Sequence, residues 1–166
     1  HQPKGALATQ LWVSDVARKA GHPDVRKPDK GRNLILCDLL GFGENAHPWQ
    51  LGMLIEAVGQ RVIGLQTAQV LALTRWAMKR TRMERIELYG ECQTGSLACL
   101  LAAALHPEYY SQLTLTYHFT SLEHLMLWPV RYEEHPAVFC ADILTVADVP
   151  DMKNLLEHVV CYEPSR

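Results

Sequence analysis

The chain has 166 residues, of which 48% are hydrophobic and 20% are charged, an ordinary globular composition with room for one core. The formal net charge of -2 gives no electrostatic reason to expect binding to nucleic acid or to an anionic membrane surface. No apolar run approaches the roughly 20 residues that span a bilayer. We therefore expect a single domain over residues 1–166, with no nucleic-acid or membrane partner.

The first half of the chain is predicted to contain two main helices and one buried strand. Residues 7–20 carry an apolar stripe that predicts a helix, and residues 21–33 form a polar loop broken by proline and glycine. Residues 33–38 are a nearly continuous apolar run, which is typical of a strand buried on both faces of a parallel sheet. Residues 47–60 are irregular or a short helix, and residues 62–79 form a helix with a broad apolar face.

The second half is predicted to contain three strands, at residues 86–90, 113–119 and 158–162. It is also predicted to contain a helix that ends before Pro107, a short helix at residues 122–127, and a helix that starts near Asp148. Helices and strands therefore alternate along the chain. This alternation favours an α/β three-layer sandwich with a mainly parallel sheet and right-handed crossovers.

Binding and catalytic sites in such sheets lie beyond the carboxyl ends of the strands. Four sequence segments are predicted to meet at that edge: Cys92, the 41–45 loop, residues 118–121 and Glu163.

The segment Gly-Glu-Cys-Gln-Thr-Gly at residues 90–95 joins a predicted strand to an Ala- and Leu-rich helix. A sharp strand-to-helix turn needs small residues where backbones crowd, and helix-start N–H groups can stabilise an anion there. These are the properties of a nucleophile elbow, which usually reads Gly-x-Ser-x-Gly. Here Cys92 replaces the serine, and Thr94 replaces the second glycine, with Gly95 one place later. The alternative interpretation is a buried thiol at a structural turn.

Several segments resemble the α/β-hydrolase superfamily, in particular its bacterial acetyl xylan esterase-like branch. Residues 38–44 are similar to the Asp-x-Arg-Gly-x-Gly-x segment that follows a sheet strand in that family, and residues 59–62 and 85–90 are similar to that branch. The apolar helix after the turn and residues 148–156 extend the resemblance to roughly residues 33–162.

The resemblance implies a partial α/β-hydrolase fold that is incomplete at both ends, because the early antiparallel strands and the last strand of the family have no counterpart here. A chain that starts at His1 without methionine is expected to be processed or part of a longer protein. Exposed sheet edges need cover. We expect it to come from a partner chain, a second copy in a homo-oligomer, or further residues of the protein.

The resemblance also implies carboxylic ester hydrolysis on a small-molecule ester or acyl substrate, without a cofactor or a metal. Cys92 takes the nucleophile position, as cysteine does in the dienelactone hydrolase branch, provided that its pKa is lowered. The backbone N–H of Gln93 takes the oxyanion position. Glu163 is the candidate acid, and Glu123 is a weaker one. The loop at residues 1–3 corresponds to part of the oxyanion hole.

No histidine occupies the family's position for the base, which follows a strand beyond the end of this chain. His118 is predicted at the correct edge of the sheet, where its alternative is a half-buried strand residue. His158 begins a strand and lies at the wrong end. A catalytically inactive module that acts in binding or assembly therefore stays open as the alternative function.

Three further sequence patterns have both a functional and a structural interpretation. Gly41-x-Gly43 after a strand resembles part of a dinucleotide-binding loop, but it lacks the third glycine and an immediate helix. The polar runs at residues 133–135 and 123–124 contain metal-ligand types, but such loop charges are usually solvated surface. The five scattered cysteines form no Cys-x-x-Cys pair, which is typical of reduced, buried thiols in a cytoplasmic protein and predicts no structural zinc.

Overall fold

A computed structural model of the chain describes residues 8–14, 31–128, 130–140, 142–157 and 159–163, without the side chains of Glu44 and Tyr162. Five strands form one sheet: β1 (Ala8–Val13), β2 (Arg32–Cys37), β3 (Ile86–Glu91), β4 (Tyr110–Thr116) and β5 (Val160–Tyr162). The α-helices are α1 (Gln50–Ala57), α2 (Val62–Thr81), α3 (Cys92–Leu105), α4 (His124–Leu127), α5 (Ile143–Val146) and α6 (Val149–Asn154). The predicted α/β three-layer class with a parallel sheet is confirmed.

The strand order is β2-β1-β3-β4-β5, and every pair of neighbours is parallel. The chain therefore moves in one direction from β1 to β2 and in the other direction from β3 to β5. In doubly wound sheets, a crevice for ligands forms where the order reverses, at the carboxyl ends of the two central strands. Here that point lies between β1 and β3, where Val13 pairs with Gly90.

The prediction of a helix over residues 7–20 is wrong within the described residues, because Ala8–Val13 is β1, an interior strand of the sheet between β2 and β3. Leu11, Trp12 and Val13 are consecutive and all buried, so both faces of β1 are covered, and its two edges pair with β2 and β3. A strand covered on both faces lacks the alternation that identifies a strand in sequence. The short apolar run of β1 therefore resembles the apolar stripe of a helix in the sequence.

The predicted strand at residues 113–119 is shifted, because β4 begins at Tyr110 and ends at Thr116. Tyr110 is fully buried, and its hydroxyl lies 3.0 Å from the Thr74 hydroxyl on α2, which anchors the start of the strand. Tyr117 has a positive φ of 54° and takes the chain out of the sheet. Side-chain anchoring and this turn set the bounds of β4, and neither is visible in the alternation of residue types.

The hydrophobic core lies between the sheet and the packed pair α2 and α3. Its fully buried side chains include Leu11, Leu88, Leu113, Val70 and Leu100. The predictions of a strand at residues 33–38, a helix at 62–79 and a strand–turn–helix unit at 86–105 are confirmed by β2, α2 and the β3–α3 pair. Among the described helices, none combines the length and the apolar character needed to cross a lipid bilayer.

Candidate functional site

Cys92 lies where β3 passes directly into α3, as the first residue of the helix. Its φ angle is 60°, which makes it one of four non-glycine residues with positive φ in the described part of the chain. The left-handed region costs an L-residue about 1–2 kcal/mol, and strain of this kind is concentrated at functional sites. The strand–helix turn predicted from the sequence is therefore present, and its apex is a half-buried, strained cysteine.

Two glycines allow this turn to be so tight. A Cβ atom on Gly90 would lie 2.8 Å from the Cα atom of Ser96 and 3.0 Å from the carbonyl oxygen of Gly95. A Cβ atom on Gly95 would lie 3.2 Å from the carbonyl oxygen of Val13, where α3 crosses β1. The close approach therefore needs glycine at position 95 and not at position 94. This explains why Thr94 can replace the second glycine of the usual elbow pattern.

The first turn of α3 lies at the carboxyl ends of β1 and β3, where the strand order reverses. The N-cap residue Glu91 makes no side-chain cap, because its Oε2 atom accepts a hydrogen bond of 3.2 Å from Nε1 of Trp12. The first N–H groups of a helix, including that of Gln93, have no partner within the helix and carry the positive end of its dipole. This turn can therefore stabilise negative charge near Cys92.

Ser96 fixes the helix against the sheet. Its fully buried hydroxyl donates to the carbonyl oxygens of Gly90, at 2.9 Å, and Thr116, at 3.0 Å. Because these carbonyls belong to β3 and to the end of β4, one side chain ties the first turn of α3 to both strands. The position of Cys92 is therefore set by buried contacts and not by a mobile loop.

The predicted acid Glu163 follows β5 and belongs to an ionic cluster with Lys153 of α6 and His118. Nζ of Lys153 donates hydrogen bonds to Oε1 of Glu163 and to Nε2 of His118, and its distance to Nε2 is 3.0 Å. Oε1 of Glu163 lies 3.5 Å from Nε2 of His118. Because Nε2 accepts a hydrogen bond from the ammonium group, the neutral imidazole carries its own proton on Nδ1.

Burial lowers the pKa of His118, the ammonium of Lys153 lowers it further, and Glu163 opposes both effects. The hydrogen bond from Lys153 lowers the pKa of Glu163, although burial opposes this. The cluster is therefore a neutral imidazole next to an ammonium–carboxylate pair. Lys153 was not identified from the sequence, because nothing local connects it to a histidine on a different element.

The cluster adjoins the Cys92 turn. His118 and Gln93 line the same small cavity, together with Leu97, Phe119 and Val149. The structure therefore brings His118, Glu163 and Gln93 to the edge that the sequence predicted. His118 lies beyond the end of β4 and is half-buried, so it is not a strand residue.

The weaker acid candidate, Glu123, is exposed at the start of α4 and makes no contact with this cluster in the described residues. Nearby, Asp148 caps α6 and accepts hydrogen bonds from Ser121 Oγ at 2.5 Å and from the backbone N–H groups of Leu122 and Val149, both at 2.7 Å. Burial raises the pKa of Asp148, but these bonds together outweigh it and hold that pKa below its ordinary value. The other candidates, residues 1–3 and His158, lie outside the described residues.

A second, larger cavity of about 390 Å³ also reaches the first turn of α3, at Thr94. The loop after β2, helix α1, the start of α2 and residues 133–137 form its walls, and Thr94 of α3 contributes to it. Sequence reasoning missed this cavity, because its walls come from three separated regions of the chain, residues 40–66, Thr94 and residues 133–137.

The Gly41-x-Gly43 loop does not have the form of a phosphate-binding turn. Gly41 donates its N–H to the carbonyl oxygen of Asn45, and the carboxylate of Asp38 lies directly against Gly43. An acidic side chain at that place repels phosphate, so the geometry gives the dinucleotide interpretation no support. Across the described residues, no group of three or more metal-ligating side chains is close enough to hold a metal ion.

The resemblance to α/β-hydrolases depends on the residues quoted above. No protein-family model matches the chain, and no curated protein sequence matches it either.

Proposed function

We propose that this chain is an α/β-hydrolase-like protein that hydrolyses carboxylic esters with Cys92 as its nucleophile. The observation that carries the proposal is the backbone of Cys92, which is strained at the apex of a sharp strand-to-helix turn where the strand order reverses. Glycine would occupy a left-handed position at no steric cost. A thiol side chain that stays there despite the strain supports a role for the sulfur atom.

In the proposed reaction, the Cys92 thiol gives its proton to a base and the thiolate attacks the ester carbonyl carbon. The N–H of Gln93 donates to the resulting oxyanion. The bond to the alcohol breaks, the alcohol takes up the proton, and a thioester remains on Cys92. Water then attacks this thioester, so that its hydroxyl joins the acyl group and its proton returns to sulfur.

His118 is the residue we propose as the base. It lines a cavity with Gln93, and burial and Lys153 keep it neutral by lowering its pKa. In the structure its Nε2 lone pair faces Lys153, so it must exchange that hydrogen bond to take the thiol proton. Glu163 would then stabilise the imidazolium that forms, because it lies 3.5 Å from the same nitrogen.

The engagement of Nε2 by Lys153 is also the observation that favours the alternative function, a catalytically inactive module for binding or assembly. In that case a partner chain or a second copy would cover the edge strands β2 and β5. The two functions differ in whether short-chain esters are turned over.

Hydrolysis of 4-nitrophenyl acetate and butyrate by the purified chain tests the proposal. We expect turnover that disappears in Cys92→Ala and persists in Cys161→Ser, which removes an exposed cysteine far along the chain. Iodoacetamide should label Cys92 faster than Cys99 and Cys140, because burial raises the pKa of both of these thiols. Absence of turnover, or turnover that survives in folded Cys92→Ala, would rule out the nucleophile assignment.

A further inference from the structure

The 390 Å³ cavity beside the Cys92 turn has the size of a small-molecule site, since such sites usually measure about 300–1,000 Å³. A dry cavity of about 150 Å³ already holds a benzene ring. The space is therefore sufficient for one aromatic ring with substituents, and it is too small for a long polymer segment to be enclosed.

Two polar side chains in its wall are buried and can form hydrogen bonds. Gln66 is 1% exposed, and its Nε2 donates to the carbonyl oxygen of Leu40 at 2.7 Å, while its Oε1 has no partner among the described residues. Thr94 is 2% exposed, and its hydroxyl can both donate and accept a hydrogen bond. Buried acceptors without partners are rare, and a bound ligand or water accounts for many of them.

The remaining wall is mainly apolar and includes an aromatic face. Phe42, Leu51 and Ile55 line it together with Trp49, whose ring packs edge-on against Tyr132 at a centroid distance of 6.1 Å. This aromatic pair holds Trp49 in place as a flat surface for another ring. Two exposed carboxylates, Glu133 and Glu134, lie at the rim and disfavour an anionic ligand, and two histidines, His47 and His135, also belong to the lining.

We propose that this cavity binds a neutral aromatic group that carries a hydroxyl, that is, a phenol-like ring. The ring packs among the apolar side chains, its hydroxyl proton is donated to Oε1 of Gln66, and Thr94 offers a second hydrogen bond. Thr94 lies two residues after Cys92 in the first turn of α3, so the bound group lies next to the proposed nucleophile. The use of this cavity as the pocket for one side of an ester substrate rests on the proposed function, whereas the binding of a phenol-like ring to the cavity does not.

Calorimetric titration of the full chain with three probes tests this proposal. The probes are 4-ethylphenol, 4-ethylanisole, which lacks the hydroxyl proton, and 3-(4-hydroxyphenyl)propanoate, which carries a negative charge. We expect 4-ethylphenol to bind, and 4-ethylanisole to bind roughly tenfold more weakly because Oε1 of Gln66 stays unpaired. The anionic probe should bind more weakly than 4-ethylphenol because of the two rim carboxylates.

Two substitutions on α1 form a matched pair. Leu51→Trp fills the cavity and should abolish binding of 4-ethylphenol, whereas Leu54→Trp places the same side chain at a position that is 64% exposed and outside the cavity, and should leave binding unchanged. Thr94→Val keeps the shape of the side chain but removes its hydroxyl, and should weaken binding about tenfold. This variant keeps the proposal testable if circular dichroism shows that Leu51→Trp is unfolded.

Absence of 4-ethylphenol binding to the unmodified chain, equal binding of the phenol and the anisole, or binding unaffected by folded Leu51→Trp would each overturn the proposal. Cys92→Ala is titrated in parallel, because it removes the proposed chemistry and not the cavity. Retained binding without ester hydrolysis refutes the proposed function alone. Ester hydrolysis without phenol binding refutes the cavity assignment alone.

Discussion

Replacing Gly90 by alanine tests the close packing that holds the Cys92 turn. The added Cβ atom would lie 2.8 Å from the Cα atom of Ser96, 3.0 Å from the carbonyl oxygen of Gly95 and 3.1 Å from the Cβ atom of Cys99. Relaxed contacts between carbon atoms are about 3.5–4.0 Å, and two of these three neighbours are backbone atoms that cannot rotate away. Helix α3 must therefore move away from β3.

The size of the effect follows from two opposing contributions. Overpacking a core costs about 1–3 kcal/mol, whereas the smaller entropy of the unfolded alanine chain returns about 0.4–1 kcal/mol. We expect a net loss of about 1–2 kcal/mol in the free energy of unfolding. For a domain of this length, that corresponds to a decrease in Tm of about 2–8 °C.

Urea unfolding followed by circular dichroism measures this loss, and Gly64→Ala is the matched control. Gly64 is exposed in α2, and its added Cβ atom would have only the Cβ atom of Arg61 as a neighbour, at 3.7 Å. Alanine is the better helix former, so this control should gain about 0.5–1 kcal/mol. The reasoning is refuted if Gly90→Ala is as stable as the unmodified chain, or if both substitutions change stability in the same direction.

Three further predictions concern single groups. Cys92→Gly should be more stable than Cys92→Ala by about 1 kcal/mol in urea unfolding, because only glycine adopts a φ of 60° without strain, and equal stabilities would argue against a strained turn. Lys153→Met should raise the pKa of His118 toward its ordinary value of 6.5 in an NMR titration, because it removes an ammonium group that lowers this pKa; an unchanged or lower pKa would show that Lys153 has no such effect. Asp148 has a lower pKa in the folded than in the unfolded state, so the unfolded state binds the proton more readily. The contribution of Asp148 to the free energy of unfolding is therefore full above its unfolded pKa of about 3.9, and it is lost as the pH falls through its lower folded pKa. Asp148→Asn should flatten the acid side of the stability–pH curve, and a curve parallel to that of the unmodified chain would contradict this.

The parts of the fold that could be predicted are those where local preference and tertiary environment agree. From β3 to α3, the sequence changes from a short apolar run to an Ala- and Leu-rich segment at a glycine, and both elements formed as predicted. In β1 the local sequence preference and the tertiary environment disagree, because this segment becomes a strand by pairing with residues 32–37 and 87–90. No property of residues 8–13 alone reveals that they form an interior strand of the sheet.

The same distinction applies to the site. Cys92 and Gln93 could be located because the turn that holds them is contiguous in sequence. Lys153 and Gln66 could not be assigned, since each acquires its surroundings from elements distant along the chain: His118 and Glu163 in one case, and the carbonyl of Leu40 in the other. The glycine at position 95 was visible in the sequence, but its purpose became clear only from the crossing of α3 over Val13.

The place of β1 between β2 and β3 has a consequence for the order of folding. The unit from β3 to β4 brings together residues that are close in sequence, so it can form early with little loss of chain entropy. The pairing of β1 with β3 instead closes a loop from residue 13 to residue 90, and β2 can join the sheet only through β1. We therefore expect the amino-terminal strands to add last, and the half of the crevice that β1 provides to be completed only in that final step.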